Sequence, residues 1–165
     1  MNIAAPLQKD KKQPANVSSY ERTVADGAKM ILDRVMHQAE KDERDLAYYT
    51  PCKSEQARKQ SGSYYTPVDV ARFFWNQFFD ASNISGPEQA TAFVRNHRFI
   101  EPSCGSGVLV YALLRKLLDL GVPLEAMHDL DLHLVDINAA SLDYAKRQFS
   151  VINSALGAYY FSPYF

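Results

Sequence analysis

Seven consecutive residues, Glu101-Pro102-Ser103-Cys104-Gly105-Ser106-Gly107, combine an acid, two hydroxyls, a thiol and two glycines. They follow the short run Arg98-Phe99-Ile100 and precede an apolar run from Val108 to Leu120. A strand that ends in an acid, turns through glycines and enters a helix builds a ligand site at the carboxyl ends of the strands. Gly105 and Gly107 allow positive φ and close approach of backbone to a ligand. The helix start behind them favours a negatively charged group.

A second acid, Asp136, ends the alternating run Leu130–Ile137, about 30 residues after the glycines. An acid in that place can accept two hydrogen bonds from vicinal ribose hydroxyls. Ile137 beside it can lie against an adenine ring. A dinucleotide site would compete for this pattern, but its fingerprint needs a third glycine where Val110 stands. Glu101 also suits a ligand with positive charge better than a pyrophosphate. S-adenosylmethionine, with an ammonium and a sulfonium, is such a ligand.

The elements that must position these residues follow from periodicity. Residues 1–18 are polar, with Lys9, Lys11 and Lys12, and read as an arm. From Ser19 to Asp45, Val24, Ala28, Ile31, Leu32, Val35 and Met36 recur at helical steps. Residues 46–66 read as a linker holding two copies of one tetrapeptide, Tyr48-Tyr49-Thr50-Pro51 and Tyr64-Tyr65-Thr66-Pro67. After the second copy, Val70, Ala71, Phe74, Trp75 and Phe78 mark a helix face, with Thr66 as N-cap and Pro67 in the first turn. A short helix is predicted over Pro87 to Asn96, a strand over Arg98 to Pro102, and a helix over Val108 to Leu120 closed by Gly121. A second strand is predicted over Leu130 to Ile137. A last helix is predicted over Asn138 to Ser154, with Leu142, Ala145, Phe149 and Ile152 along one side. Strand, loop, helix, strand, helix opens a doubly wound parallel α/β sheet.

These residues resemble the opening motifs of adenine-specific DNA methyltransferases, above all those of restriction–modification and phage-defence systems. The resemblance rests on Gly62-Ser63-Tyr64-Tyr65-Thr66-Pro67, on Glu101 to Gly107 and on Val135-Asp136-Ile137-Asn138, and covers about residues 59–150. It implies a Rossmann-like methyltransferase sheet and S-adenosylmethionine as cofactor. It implies that Tyr65, Thr66 and Pro67 fold over the methionine end of the cofactor. The loop Glu101, Pro102, Ser103, Cys104, Gly105, Ser106 and Gly107 would cradle it, Asp136 would hold the ribose, and Ile137 would pack on the adenine. Glu101 departs from the aspartate usual in that family. The family's catalytic tetrapeptide, a polar residue followed by two prolines and an aromatic, grips the flipped adenine. The nearest approach to it is Ser162-Pro163-Tyr164-Phe165, one proline short and only 26 residues after Asp136. No catalytic residue is therefore assigned. Residues 1–58 read as an arm and helical segment, and 59–165 as a partial cofactor-binding domain, inactive by itself.

The chain's charge agrees with an incomplete DNA-binding surface. Residues 1–60 hold 11 basic and 9 acidic side chains, and 61–165 hold 7 and 10. A surface that grips duplex DNA unaided is strongly basic, so DNA is expected as a partner only with further protein, either a continuation or a partner subunit. Cys52 and Cys104 give neither a disulfide framework nor zinc spacing, and His37, His97, His128 and His133 show no metal-ligand pattern. No signal peptide or membrane span is visible, and a cytoplasmic protein is expected. Tyr159-Tyr160-Phe161 would form an exposed apolar patch if nothing covered it. A non-catalytic binding or interaction module, assembling with a partner or imitating a methyltransferase front half, is the alternative function.

Overall fold

The computed structural model describes residues 19–49, 66–158 and 160–165, the side chains of 43–49 excepted. Among the described residues five helices and two strands follow in the order α1 (Ser19–Tyr49), α2 (Val68–Ala81), α3 (Pro87–Asn96), β1 (Arg98–Glu101), α4 (Val108–Asp119), β2 (Asp131–Leu134) and α5 (Ala139–Leu156). A 3-10 turn, Leu124–Asp129, leads into β2 and packs against α3. The described chain is α/β, mostly helical, with a small parallel sheet. Among the described residues no helix is long and apolar enough to cross a membrane.

The first helix outruns its predicted end at Asp45 and reaches Tyr49. Nothing between Asp42 and Tyr49 breaks a helix, and the next proline along the chain is Pro51. Residues 46–49, predicted as linker, are therefore helix, including Tyr48 and Tyr49 of the first Tyr-Tyr-Thr-Pro copy, and the rest of the predicted linker up to residue 65 lies outside the described residues. Ala28, Leu32, Val35, Met36 and Ala39 are buried. Through that side α1 packs along α4 and α5.

The phase of α2 differs from the predicted face. Val68, Ala71 and Phe79 are buried and Trp75 is partly so, whereas Val70, Phe74 and Phe78, read as core, are exposed together with Phe73. Apolar residues lie almost all round this helix, so two stripes share helical spacing. Packing against α4 selects the one through Ala71 and Trp75. The N-terminus differs as well. Pro67 takes the cap position and no side chain caps the helix. The Val68 N–H instead donates to Oε1 of Glu40 on α1, at 3.2 Å.

Strands β1 and β2 run parallel, with Arg98, Phe99, Ile100 and Glu101 paired to Asp131, Leu132, His133 and Leu134. Paired residues share a sheet face. Leu132 and Leu134 join Phe99 in the core on one face, while Arg98 and Ile100 are exposed on the other. The helix between the strands, α4, buries eight of its twelve residues. Beyond α5 the chain turns back along β2. His133 bridges Tyr164 in parallel sense, with Leu134 N–H donating to Tyr164 O and Tyr164 N–H to Leu132 O, both at 2.8 Å. Of the run that would be an exposed patch if uncovered, Phe161 is buried and Tyr160 partly so, while Tyr159 lies outside the described residues. The Asn153 side-chain amide clamps its backbone, donating to Phe161 O at 2.7 Å and accepting from Phe161 N–H at 3.1 Å.

Candidate functional site at the carboxyl end of the strands

Both strands release their chains at the same edge, and the two sequence motifs meet there. The ladder continues one step past the strands, with Val135 N–H donating to Glu101 O at 2.8 Å. The Cys104 N–H then donates to Val135 O at 2.9 Å, drawing the loop across the end of β2. This diversion ends β2 at Leu134, short of the predicted Ile137.

Asp136 locks the arrangement. Its Oδ2 accepts from the Gly105 N–H and its Oδ1 from the Asn138 N–H, each at 2.8 Å. Each oxygen keeps acceptor capacity after one such bond, and the carboxylate is only half-buried. Asn138 in turn caps α5, its side chain accepting from Ala140 N–H at 3.0 Å. Thus Asp136 is bound to both the glycine loop and the start of the following helix. Ile137, between them, is fully exposed.

Across the loop, Glu101 is half-buried and its Oε1 accepts from Ser103 N–H at 3.2 Å. Pro102 and Ser103 are exposed, while Cys104, Ser106 and Gly107 are buried. Gly105 and Gly107 sit at φ 52° and 90°, in the left-handed region that glycine enters at least cost. At Gly107 a second constraint applies. A Cβ there would come within 2.7 Å of the Tyr111 ring, which is wholly buried one turn into α4. No side chain caps α4, whose cap residue is Gly107 itself.

Burial pushes the Cys104 thiol up to about 12, with the negative charges of Asp136 and Glu101 adding to the effect. A nucleophilic cysteine needs the opposite environment, electropositive and partly exposed. Cys104 is a packing residue of the loop.

The predicted site residues divide in three. Glu101 to Gly107 and Asp136 are brought together, with Ile137 beside them. Thr66 and Pro67 stand at the start of α2, held to α1 through Val68 and Glu40; no hydrogen bond joins them to the loop among the described residues. Tyr65 lies outside the described residues. The sequence reading gave no role in the site to four supporting residues, Val135, Asn138, Tyr111 and Trp75, although it named all but Tyr111. Asn138 was legible as an N-cap before Ala139-Ala140. The Trp75 indole N–H donates to Leu109 O at 2.8 Å, tying α2 to the first turn of α4, a contact with no sequence signal. Ser162-Pro163-Tyr164-Phe165 lies on the β2 side, through the Tyr164 bridge. Among the described residues no group of histidine, cysteine and acidic side chains could hold a metal ion. The chain matches no family model, no curated protein and no solved structure.

Proposed function

We propose that this chain is the S-adenosylmethionine-binding portion of a DNA adenine methyltransferase of the restriction–modification type, incomplete without further polypeptide. The observation that carries the reading is the Gly105–Asp136 hydrogen bond, which joins the glycine loop and the ribose-type acid at one strand edge. The fold supports it in outline. A parallel strand–helix–strand unit with its loop at the carboxyl edge is where nucleotide-like ligands bind in open α/β sheets.

The residues present suit that cofactor. The spare acceptor sites of Asp136 would suit ligand hydroxyls, exposed Ile137 offers a surface for a flat ring, and half-buried Glu101 offers negative charge to an ammonium group. When bound, the cofactor supplies an activated methyl group on a positively charged sulfur. The chain's own part is to bind and orient: two left-handed glycines bring backbone close, and Asp136 fixes the loop before a ligand arrives. Among the described residues nothing beside the loop resembles a grip for a flipped base, and the Ser162–Phe165 segment lies along β2. The reading is accordingly of cofactor binding without methyl transfer by this chain alone.

Calorimetric titration with S-adenosylmethionine, with its demethylated product and with NAD tests the proposal. The first two are expected to bind and NAD is not, and Asp136→Ala should weaken binding at least tenfold. Binding of NAD alone would overturn the assignment. A tritiated-methyl assay on adenine-containing DNA should be silent with the chain by itself.

A further inference from the structure

We infer that a recess between α1, α2 and α4, away from the glycine loop, binds a terminal phosphate group, carried by free phosphate or by a phosphomonoester. Ala112, Arg115, Lys116 and Asp119 recur at three- and four-residue steps and so share one face of α4. Arg72 and Asn76 stand one turn apart on α2, and Asp33 of α1 is bonded to Arg72. Together these side chains line a cavity of about 250 Å³. Arg115 lies eight residues beyond Gly107, roughly 12 Å along the helix at about 1.5 Å per residue. The recess is therefore separate from the loop.

Charge is not balanced there. Oδ1 of Asp33 accepts from Arg72 Nη2 at 2.9 Å and from Arg115 Nε at 3.1 Å, so one carboxylate holds two guanidinium groups. The other carboxylate, Asp119, is shared by Arg115 Nη1 and by Lys29 of α1, the latter at 3.8 Å. That Arg115 nitrogen is shut off from solvent and makes no aligned hydrogen bond among the described residues. Lys116 is half-buried, and its ammonium has no ion pair or hydrogen bond among the described residues. Three cations thus line the recess with two carboxylates. A part-buried cation without a partner is costly to desolvate unless an anion joins it.

Donor number and size select the anion. A guanidinium carries five N–H groups and an ammonium three, so Arg72, Arg115 and Lys116 all keep donors beyond those bonded to Asp33 and Asp119. These donors come from three side chains on two helices. A carboxylate offers two oxygens in one plane, whereas a terminal phosphate offers three, tetrahedrally disposed, and arginine matches it bidentately. Sites for drug-sized ligands occupy about 300–1,000 Å³, so this recess takes a phosphate group and little more. Ala112, buried and short, leaves that volume open. Duplex phosphates are diesters flanked by sugars, and Arg115, whose side chain is only 22% exposed, lies too deep for them. A terminal phosphate enters end-on. Once bound, it ties α1 and α2 to α4 and stabilises the fold by mass action.

The probes are inorganic phosphate and glycerol 3-phosphate, titrated into the full chain at constant ionic strength with chloride as reference. Phosphate should raise the melting temperature with concentration, and chloride should not. A matching rise with glycerol 3-phosphate identifies a monoester as the source, and its absence identifies the free anion. Lys116→Gln should weaken binding at least tenfold, and Lys116→Arg should keep it. Bound phosphate should also slow acetylation of Lys116 by acetic anhydride, with exposed Lys41 unchanged. No effect beyond that of chloride, equal affinity in Lys116→Gln, or protection of Lys116 by duplex DNA alone would overturn the inference. Lys116→Gln breaks no ion pair among the described residues, so it should fold normally and leave S-adenosylmethionine titration unchanged. That titration judges the proposed function separately.

Discussion

The two sides of the glycine loop are built differently. On the Asp136 side both carboxylate oxygens are already engaged with backbone amides of the loop and of the next helix. On the β1 side, among the described residues, Glu101 accepts from the nearby Ser103 N–H and no strand pairs with the outer edge of β1. Hydrogen bonds to a charged acceptor stabilise by about 1.5–3 kcal/mol each, so the first side is organised before any ligand binds. The difference teaches that the loop is fixed from the β2 side, by backbone amides gathered on one carboxylate, and far less from the β1 side.

The largest effect that bears on this comparison is chemical. If the closed side is as sheltered as its geometry indicates, Cys104 should react with iodoacetamide about a thousandfold more slowly in the folded chain than in the denatured one, since the thiolate is the reactive form. Peptide mapping at pH 8 reads this at Cys104 alone. The same shift carries a sign for stability. A thiol held neutral in the fold favours folding below its unfolded value, and that contribution is lost as pH rises from about 8.5 toward 12. Melting temperature should therefore fall over that range, and less steeply in Cys104→Ser. Rapid alkylation in the folded state would show that the closed side opens.

Gly107→Ala comes next. It puts a Cβ at positive φ against the buried Tyr111 ring, and strain with overpacking should cost about 3 kcal/mol. Thermal unfolding measures the loss. A companion Tyr111→Leu, which removes the ring, should recover part of it in the double variant. Additive losses would mean that the contact is not what requires glycine.

The smallest effect belongs to the open side. Ile100→Ser removes an exposed side chain from an edge position, so the isolated chain should change by no more than about 0.5 kcal/mol. A loss of 2 kcal/mol or more in chemical denaturation would mean that Ile100 is already covered and that the contrast between the two sides is wrong.

The sequence by itself determined the elements and the site loop. Glycines at 105 and 107, an acid before them and Asp136 after an alternating run are local signals, and local signals survive because backbone freedom and strand alternation depend on near neighbours. The α3 span over Pro87–Asn96 and the start of α4 at Val108 were legible for the same reason. Only the tertiary structure decided what depends on distant neighbours. The phase of α2 was ambiguous because two apolar stripes share its surface, and α4 settled it by accepting Ala71 and Trp75. The helix start at Val68 is satisfied by Glu40, 28 residues away. Burial of Phe161 depended on Asn153, a polar residue that no hydrophobic pattern marks. The end of β2 was set by Cys104, whose N–H takes the Val135 carbonyl that a longer strand would have used. Side-chain periodicity records which residues can be buried, and competition for partners across the fold decides which of them are.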